Sequence, residues 1–213
     1  MKEIENAVTQ ALLLMTHASH YETGQHIFRA QHYIRELLMT LSRHPPYRAF
    51  LAPGRVEALC NAASLHDIGK VGVPDYILLK PGPLTPGEFE EMKMHTIYGR
   101  DIIIAAKWEM RASRSFQRTA LDIAHYHHEK WDGSGYPEGL AGEAIPFSAR
   151  LMAIADNYDA LISERSYKKE LPHSEAMKTI VKGKGTHFDP NLVEAFVGIQ
   201  EQIALIATRF ADE

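Results

Sequence analysis

Apolar residues recur three and four positions apart along most of this 213-residue chain, and no stretch reads convincingly as a strand. Ile27, Ala30, Ile34, Leu37, Leu38 and Leu41 form one such seam over residues 23–43, which must stop before Pro45-Pro46. The same spacing predicts helices over 55–67, 85–95, 97–110, 113–128, 148–163, 174–182 and 189–209, with one helical turn inside an irregular stretch at 71–80. Thr85-Pro86-Gly87-Glu88 is a helix start: Thr85 as N-cap, Pro86 as first residue, Glu88 as the reciprocal partner of a capping box. Asp189-Pro190 repeats the N-cap and first-turn proline, and Ser148 is expected to cap its helix, with Leu151, Ile154, Ala155, Tyr158 and Leu161 facing inward. The expected fold is a single all-α domain, and a 45% hydrophobic content is enough to bury one core.

Residues 3–18 carry a narrower seam, Ile4, Val8, Ala11 and Met15. It has two uses: docking on the domain's own core, or contact with a second copy or an upstream domain. The expected division is an N-terminal amphipathic helix at 1–18 and a main domain at 19–213. The apolar run Ala11-Leu12-Leu13-Leu14-Met15 is too short for a signal peptide core, acidic residues precede it, and no window reaches the ~20 apolar residues of a membrane span. A single cysteine, Cys60, excludes an intrachain disulfide and suits a reducing compartment, so a cytoplasmic protein is expected, with Cys60 a core residue rather than a nucleophile. A net charge of -4 gives no footprint for a DNA or RNA polymer, although a locally positive site could still take phosphates.

Twelve histidines are the unusual usage. Three fall within His125-Tyr126-His127-His128, where a helix pattern runs into the loop Asp132-Gly133-Ser134-Gly135-Tyr136-Pro137. Taken alone, each candidate has an ordinary reading: histidines suit a helix C-terminus, Glu22 and His26 are a common i,i+4 pair, Asp67 and Lys70 can form a salt bridge, and Arg165 and Lys168 can be a solvated face. Together, Glu22, His26, His66, Asp67, His95, His127, His128 and Asp156 put five histidines and three carboxylates at helix ends or on helix faces. Helical bundles direct such residues inward around one centre. Eight ligands exceed the need of one zinc ion, so two or three metals are expected, and imidazole with carboxylate suits iron, manganese or zinc.

The chain resembles the HD-GYP phosphodiesterases, a subgroup of the HD metal-dependent phosphohydrolases. The motifs that carry the likeness are Glu22-Thr23-Gly24-Gln25-His26, His66-Asp67-Ile68-Gly69-Lys70, Lys80-Pro81-Gly82-Pro83-Leu84-Thr85, Met92-Lys93-Met94-His95, His127-His128-Glu129, Asp132-Gly133-Ser134-Gly135-Tyr136-Pro137, Ala155-Asp156, Arg165-Ser166-Tyr167-Lys168 and Phe188-Asp189-Pro190. They occur in the family's order and span residues 20–196.

The resemblance implies an HD-domain helical bundle with a di- or trinuclear centre of divalent transition metals in its core, iron or manganese first and zinc as a third candidate. It implies hydrolysis of cyclic di-GMP to pGpG, and in some members on to GMP, by attack of a water bridging the metals. The eight residues above fall on the family's metal ligands, with Glu22 the mark of members able to hold a third ion. Asp67 is the bridging ligand, Lys70 lies near the reacting phosphate, and Tyr136, Arg165 and Lys168 fall on substrate contacts. A guanidinium at Arg165 would grip a phosphate with two hydrogen bonds. Two other readings stand beside this one: a metal-holding signalling module that contacts a cyclase domain through the Gly135-Tyr136-Pro137 loop, or another HD-type nucleotide hydrolase. Cyclase (GGDEF) domains, an upstream sensory domain and a second copy of the chain are the partners to expect. The remaining histidines, His125 among them, are expected at the surface or capping helices.

Overall fold

A computed structural model describes residues 24–44, 47–48, 51, 54–106, 113–163 and 170–211. The predicted helix at 3–18, Glu22, and the segment 165–168 lie outside them. The described residues form helices α1 (Gly24–Leu41), α2 (Arg55–Ala63), α3 (Asp75–Leu78), α4 (Pro86–Lys93), α5 (His95–Ala106), α6 (Arg114–Tyr126), α7 (Phe147–Ile162), α8 (His173–Lys182), α9 (Pro190–Gly198) and α10 (Gln200–Arg209). Short 3-10 turns lie at Ile68–Gly72 and Gly142–Ala144. No strand occurs among the described residues, which matches the all-α expectation.

Helix α1 is central. Its apolar seam, Ala30, Tyr33, Ile34, Leu37, Leu38 and Leu41, is fully buried, and α2, α7, α9 and α10 pack around it. Helix α7 is apolar on nearly every side, as a helix enclosed by neighbours must be. The rings of Tyr33 and Tyr158 meet edge to face between α1 and α7. Cys60 is buried in this core, and burial pushes its thiol up to about 11, so it stays protonated and packs as a small apolar group.

The predicted starts at Thr85 and Asp189 form as expected. Thr85 accepts from the Glu88 amide while the Glu88 carboxylate takes the Thr85 amide, and Asp189 accepts from the Asn191 amide. Three differences bear on the fold. Ser148 does not cap α7: Pro146 holds the capping position and Ser148 is buried inside the first turn. The helix predicted over 189–209 breaks at Ile199, whose φ of -120° and ψ of 20° are not helical. The spacing of Leu192, Phe196, Ile199 and Ile203 runs across the break, so periodicity does not register it.

The third difference builds the site. Helix α2 ends at Ala63 rather than at Asp67, and the chain tightens into three-residue turns, Leu65 N–H to Ala62 O, His66 N–H to Ala63 O and Ile68 N–H to Leu65 O. This carries His66 and Asp67 off the helix. The next turn lies against α5 at Gly69, where a Cβ would stand 1.9 Å from the His95 carbonyl oxygen and 2.3 Å from the Gly99 nitrogen. Only glycine permits that approach, which brings Asp67 beside His95.

Candidate metal centre

Two groups of side chains converge where α1, the α2 end, α5, α6 and α7 meet. Asp67, His95, His127 and His128 form one, and His26, His66 and Asp156 the other; within each, the potential ligand atoms lie within 4.8 Å of one another. Asp67 stands between them. Its Oδ2 is 3.0 Å from His66 Nε2, and its Oδ1 is 3.4 Å from His95 Nε2 and 3.7 Å from His127 Nε2.

The imidazoles are aimed by hydrogen bonds on their far side. His66 Nδ1 donates to Ala63 O at 2.9 Å, His95 Nδ1 to Met92 O at 2.7 Å and His127 Nδ1 to Ile123 O at 3.0 Å. A carbonyl can only accept, so each Nδ1 carries the proton and each Nε2 turns a lone pair inward. His26 Nδ1 meets Asp159 Oδ2 at 2.7 Å, which fixes the same tautomer. The Nε2 atoms of His26 and His66 then face each other at 3.4 Å as two acceptors. Asp67 Oδ1, His95 Nε2 and His127 Nε2 are buried without a hydrogen-bond partner. Several inward lone pairs with no proton between them cost free energy in a protein interior, and a cation removes that cost. The residues therefore fit divalent metals.

Electrostatics agree. Burial alone would raise the Asp67 carboxyl, but His66 and Lys70 outweigh it and hold it well below the usual carboxylate range. Burial lowers His95 to about 4, and burial with its neighbours His127 and His95 holds His128 well below an ordinary imidazole. Asp67 is thus a carboxylate and His95 and His128 are neutral imidazoles at neutral pH, the states that bind metal.

Tyr136 stacks on His128, with ring centroids 4.8 Å apart, and meets Phe89 edge to face at 6.2 Å. Lys93 Nζ lies 5.6 Å from the Tyr136 ring centroid. Burial, with Asp67 and Asp156 nearby, raises the Tyr136 phenol, so it remains an O–H donor. Its loop is pinned at several points. Glu129 accepts from the Glu138 and Leu140 amides, Trp131 N–H donates to His187 O, and Asp132 N–H to Thr186 O. At Gly135 a Cβ would stand 2.3 Å from the Lys130 nitrogen, so this turn too requires glycine.

A family model described as HD domain matches residues 14–192. The chain belongs to the HD domain family. A cyclic di-GMP phosphodiesterase of Vibrio cholerae is 47% identical over 212 residues, covering 100% of this chain and 43% of that protein. A 3'3'-cGAMP-specific phosphodiesterase of the same organism is 36% identical over 212 residues, covering 100% of this chain and 38% of that protein. The chain spans less than half the length of these relatives. A solved structure of an HDG"Y"P protein from Bdellovibrio bacteriovorus superposes with a TM-score of 0.59 at 20% identity, covering 92% of this chain and 62% of that one. At that identity the likeness is one of fold.

Within this HD domain the sequence-predicted residues separate clearly. Seven of the eight predicted ligands fall in the two groups; the eighth, Glu22, lies outside the described residues, as do Arg165 and Lys168. Lys70 Nζ is 2.7 Å from Asp67 Oδ2. His125, expected at the surface or as a cap, is only 2% exposed; its ring faces Thr96 O and the Glu138 carboxylate and belongs to neither ligand group. Sequence reasoning passed over Arg29 and gave Glu129 no role, yet both are buried and polar. For Glu129 the signal was a carboxylate next to two histidines at the mouth of a glycine-rich loop. For Arg29 the only signal was its position three residues after His26.

No helix among the described residues is long and apolar enough to cross a membrane.

Proposed function

We propose that this HD domain is a metal-dependent phosphodiesterase that hydrolyses cyclic di-GMP to pGpG, the step beyond to GMP being one that only some HD-GYP enzymes take. The observation that carries the reading is the pair of ligand groups sharing Asp67, with buried acceptors turned toward one another. His26, His66 and Asp156 would hold one ion, His95, His127 and His128 the other, and Asp67 would serve both. This donor set suits iron, manganese or zinc, the likeness to the HD-GYP phosphodiesterases puts iron or manganese first, and Glu22 would add a third ion. When bound, such metals supply Lewis acidity and an activated water for phosphodiester cleavage.

The chain's own residues do the rest. Asp67 stays ionised and needs no deprotonation to ligate. Lys70, held beside Asp67, is a fixed cationic donor for a phosphoryl or leaving oxygen. Tyr136 donates its hydroxyl to the substrate from the rim, and Arg165 and Lys168 grip its phosphates. The relatives' names supply two cyclic dinucleotides, cyclic di-GMP and 3'3'-cGAMP. The higher identity to the first favours it. The reading is of a cytoplasmic protein whose partners are an upstream sensory domain, a cyclase domain or a second copy; residues 1–18, which lie outside the described residues, are the segment the sequence offers for such a contact.

The test is a side-by-side assay of the metal-loaded chain with both cyclic dinucleotides, resolving pGpG and GMP by chromatography. Faster turnover of cyclic di-GMP supports the proposal; turnover of 3'3'-cGAMP alone, or of neither, overturns it.

A further inference from the structure

The site histidines are not all held in the same way. His66, His95 and His127 rest on carbonyls three or four residues back in their own turns. His26 instead rests on Asp159, a side chain 133 residues away. Asp159 is fully buried and saturated: Arg29 Nε reaches Oδ1 at 2.7 Å, Arg29 Nη2 reaches Oδ2 at 2.8 Å, and Ser163 Oγ lies 3.3 Å from Oδ2. Both oxygens are used, so Asp159 is not itself a ligand. Arg29 is only 2% exposed and has further anchors, Ser163 Oγ at 2.9 Å and the Phe210 carbonyl oxygen at 2.8 Å.

We propose that Asp159 and Arg29 are positioning residues for one half of the metal centre, locking the His26 imidazole so that its Nε2 faces His66 and Asp156. A carboxylate behind a ligating imidazole fixes its tautomer and ring orientation. Arg29 donates to both Asp159 oxygens, so the carboxylate is held as an acceptor facing His26. The two-pronged guanidinium contact stops the carboxylate from rotating. Phe210 ties the same guanidinium to the end of α10, so the affinity of this half of the centre depends on the packing of the last helix as well as on the ligands. In the other half, His95 and His127 are backed by carbonyls of their own turns and lack this dependence. The inference rests on the metal-centre reading.

The test titrates the chelator-stripped, full chain with Mn(II), counting free Mn(II) by its EPR signal, with melting curves alongside. Asp159→Asn keeps the shape and removes the charge. The expected result is weakening of one Mn(II) equivalent by about 10–100-fold while the others bind as in wild type. Ser163→Ala, a milder change, should weaken the same equivalent by less. An Asp159→Asn isotherm equal to wild type overturns the inference and leaves the metal centre standing. So does equal weakening of every equivalent, which a general loss of structure would produce. If Asp159→Asn does not fold, an unchanged isotherm for Ser163→Ala overturns it. A wild-type chain that binds no Mn(II) removes the metal-centre reading and this inference together.

Discussion

Lys70 Nζ lies 2.7 Å from Asp67 Oδ2, while Oδ1 of the same carboxylate turns toward His95 and His127. One carboxylate thus faces a fixed cation on one side and imidazole lone pairs on the other. Lys70→Met should leave metal content unchanged and lower kcat about 10²-fold, the usual cost of losing a preorganised donor. Metal analysis and steady-state kinetics on one preparation check this; a parallel loss of metal would assign Lys70 to holding Asp67 instead.

Asp67→Ala removes the carboxylate that stands between the two ligand groups. Metal content should fall by more than one ion per chain, and turnover by about 10³-fold or more. Elemental analysis and the same assay measure both, and a fully metallated variant would contradict the shared role.

Gly69→Ala should destabilise the fold, because its Cβ would meet the His95 carbonyl and the Gly99 backbone, neither of which is a flexible side-chain end. The expected loss is about 1–3 kcal/mol or more, read as a lower urea midpoint. Metal affinity should fall with it, since the displaced turn carries Asp67.

His187 gives a pH dependence. Burial, reinforced by Lys130, lowers its folded value to about 4, against an ordinary 6.5. Between those values the unfolded chain binds a proton that the folded chain does not, so stability rises with pH across this window and is lost as pH falls from about 6.5 toward 4. His187→Gln should flatten that slope, measured as the urea midpoint in chelator from about pH 7.5 to 4.5. Equal slopes for the two proteins would contradict it.

Much of this was legible in the sequence, for physical reasons. The seam of α1 and the proline starts of α4 and α9 are local signals, and local signals survive without a structure. Seven ligand positions were readable because histidines and carboxylates stood at helix ends or, like Asp156, within an apolar helix, where an unpaired polar group is costly. What was hidden depends on pairing at long range. Arg29 looks like a surface residue until Asp159 is placed against it 130 positions later. His125 looks like the equal of His127, but two residues along a helix is about 200°, so it points into other surroundings. The break at Ile199 was masked by apolar spacing that continues on both sides.

The most direct measurement is cyclic di-GMP turnover by the chain before chelation, after chelation, and after anaerobic reloading with Fe(II) or Mn(II). The account predicts activity that disappears on stripping and returns with at least two ions bound per chain. Undiminished turnover by the stripped protein, or none by a folded and fully reloaded one, would contradict it.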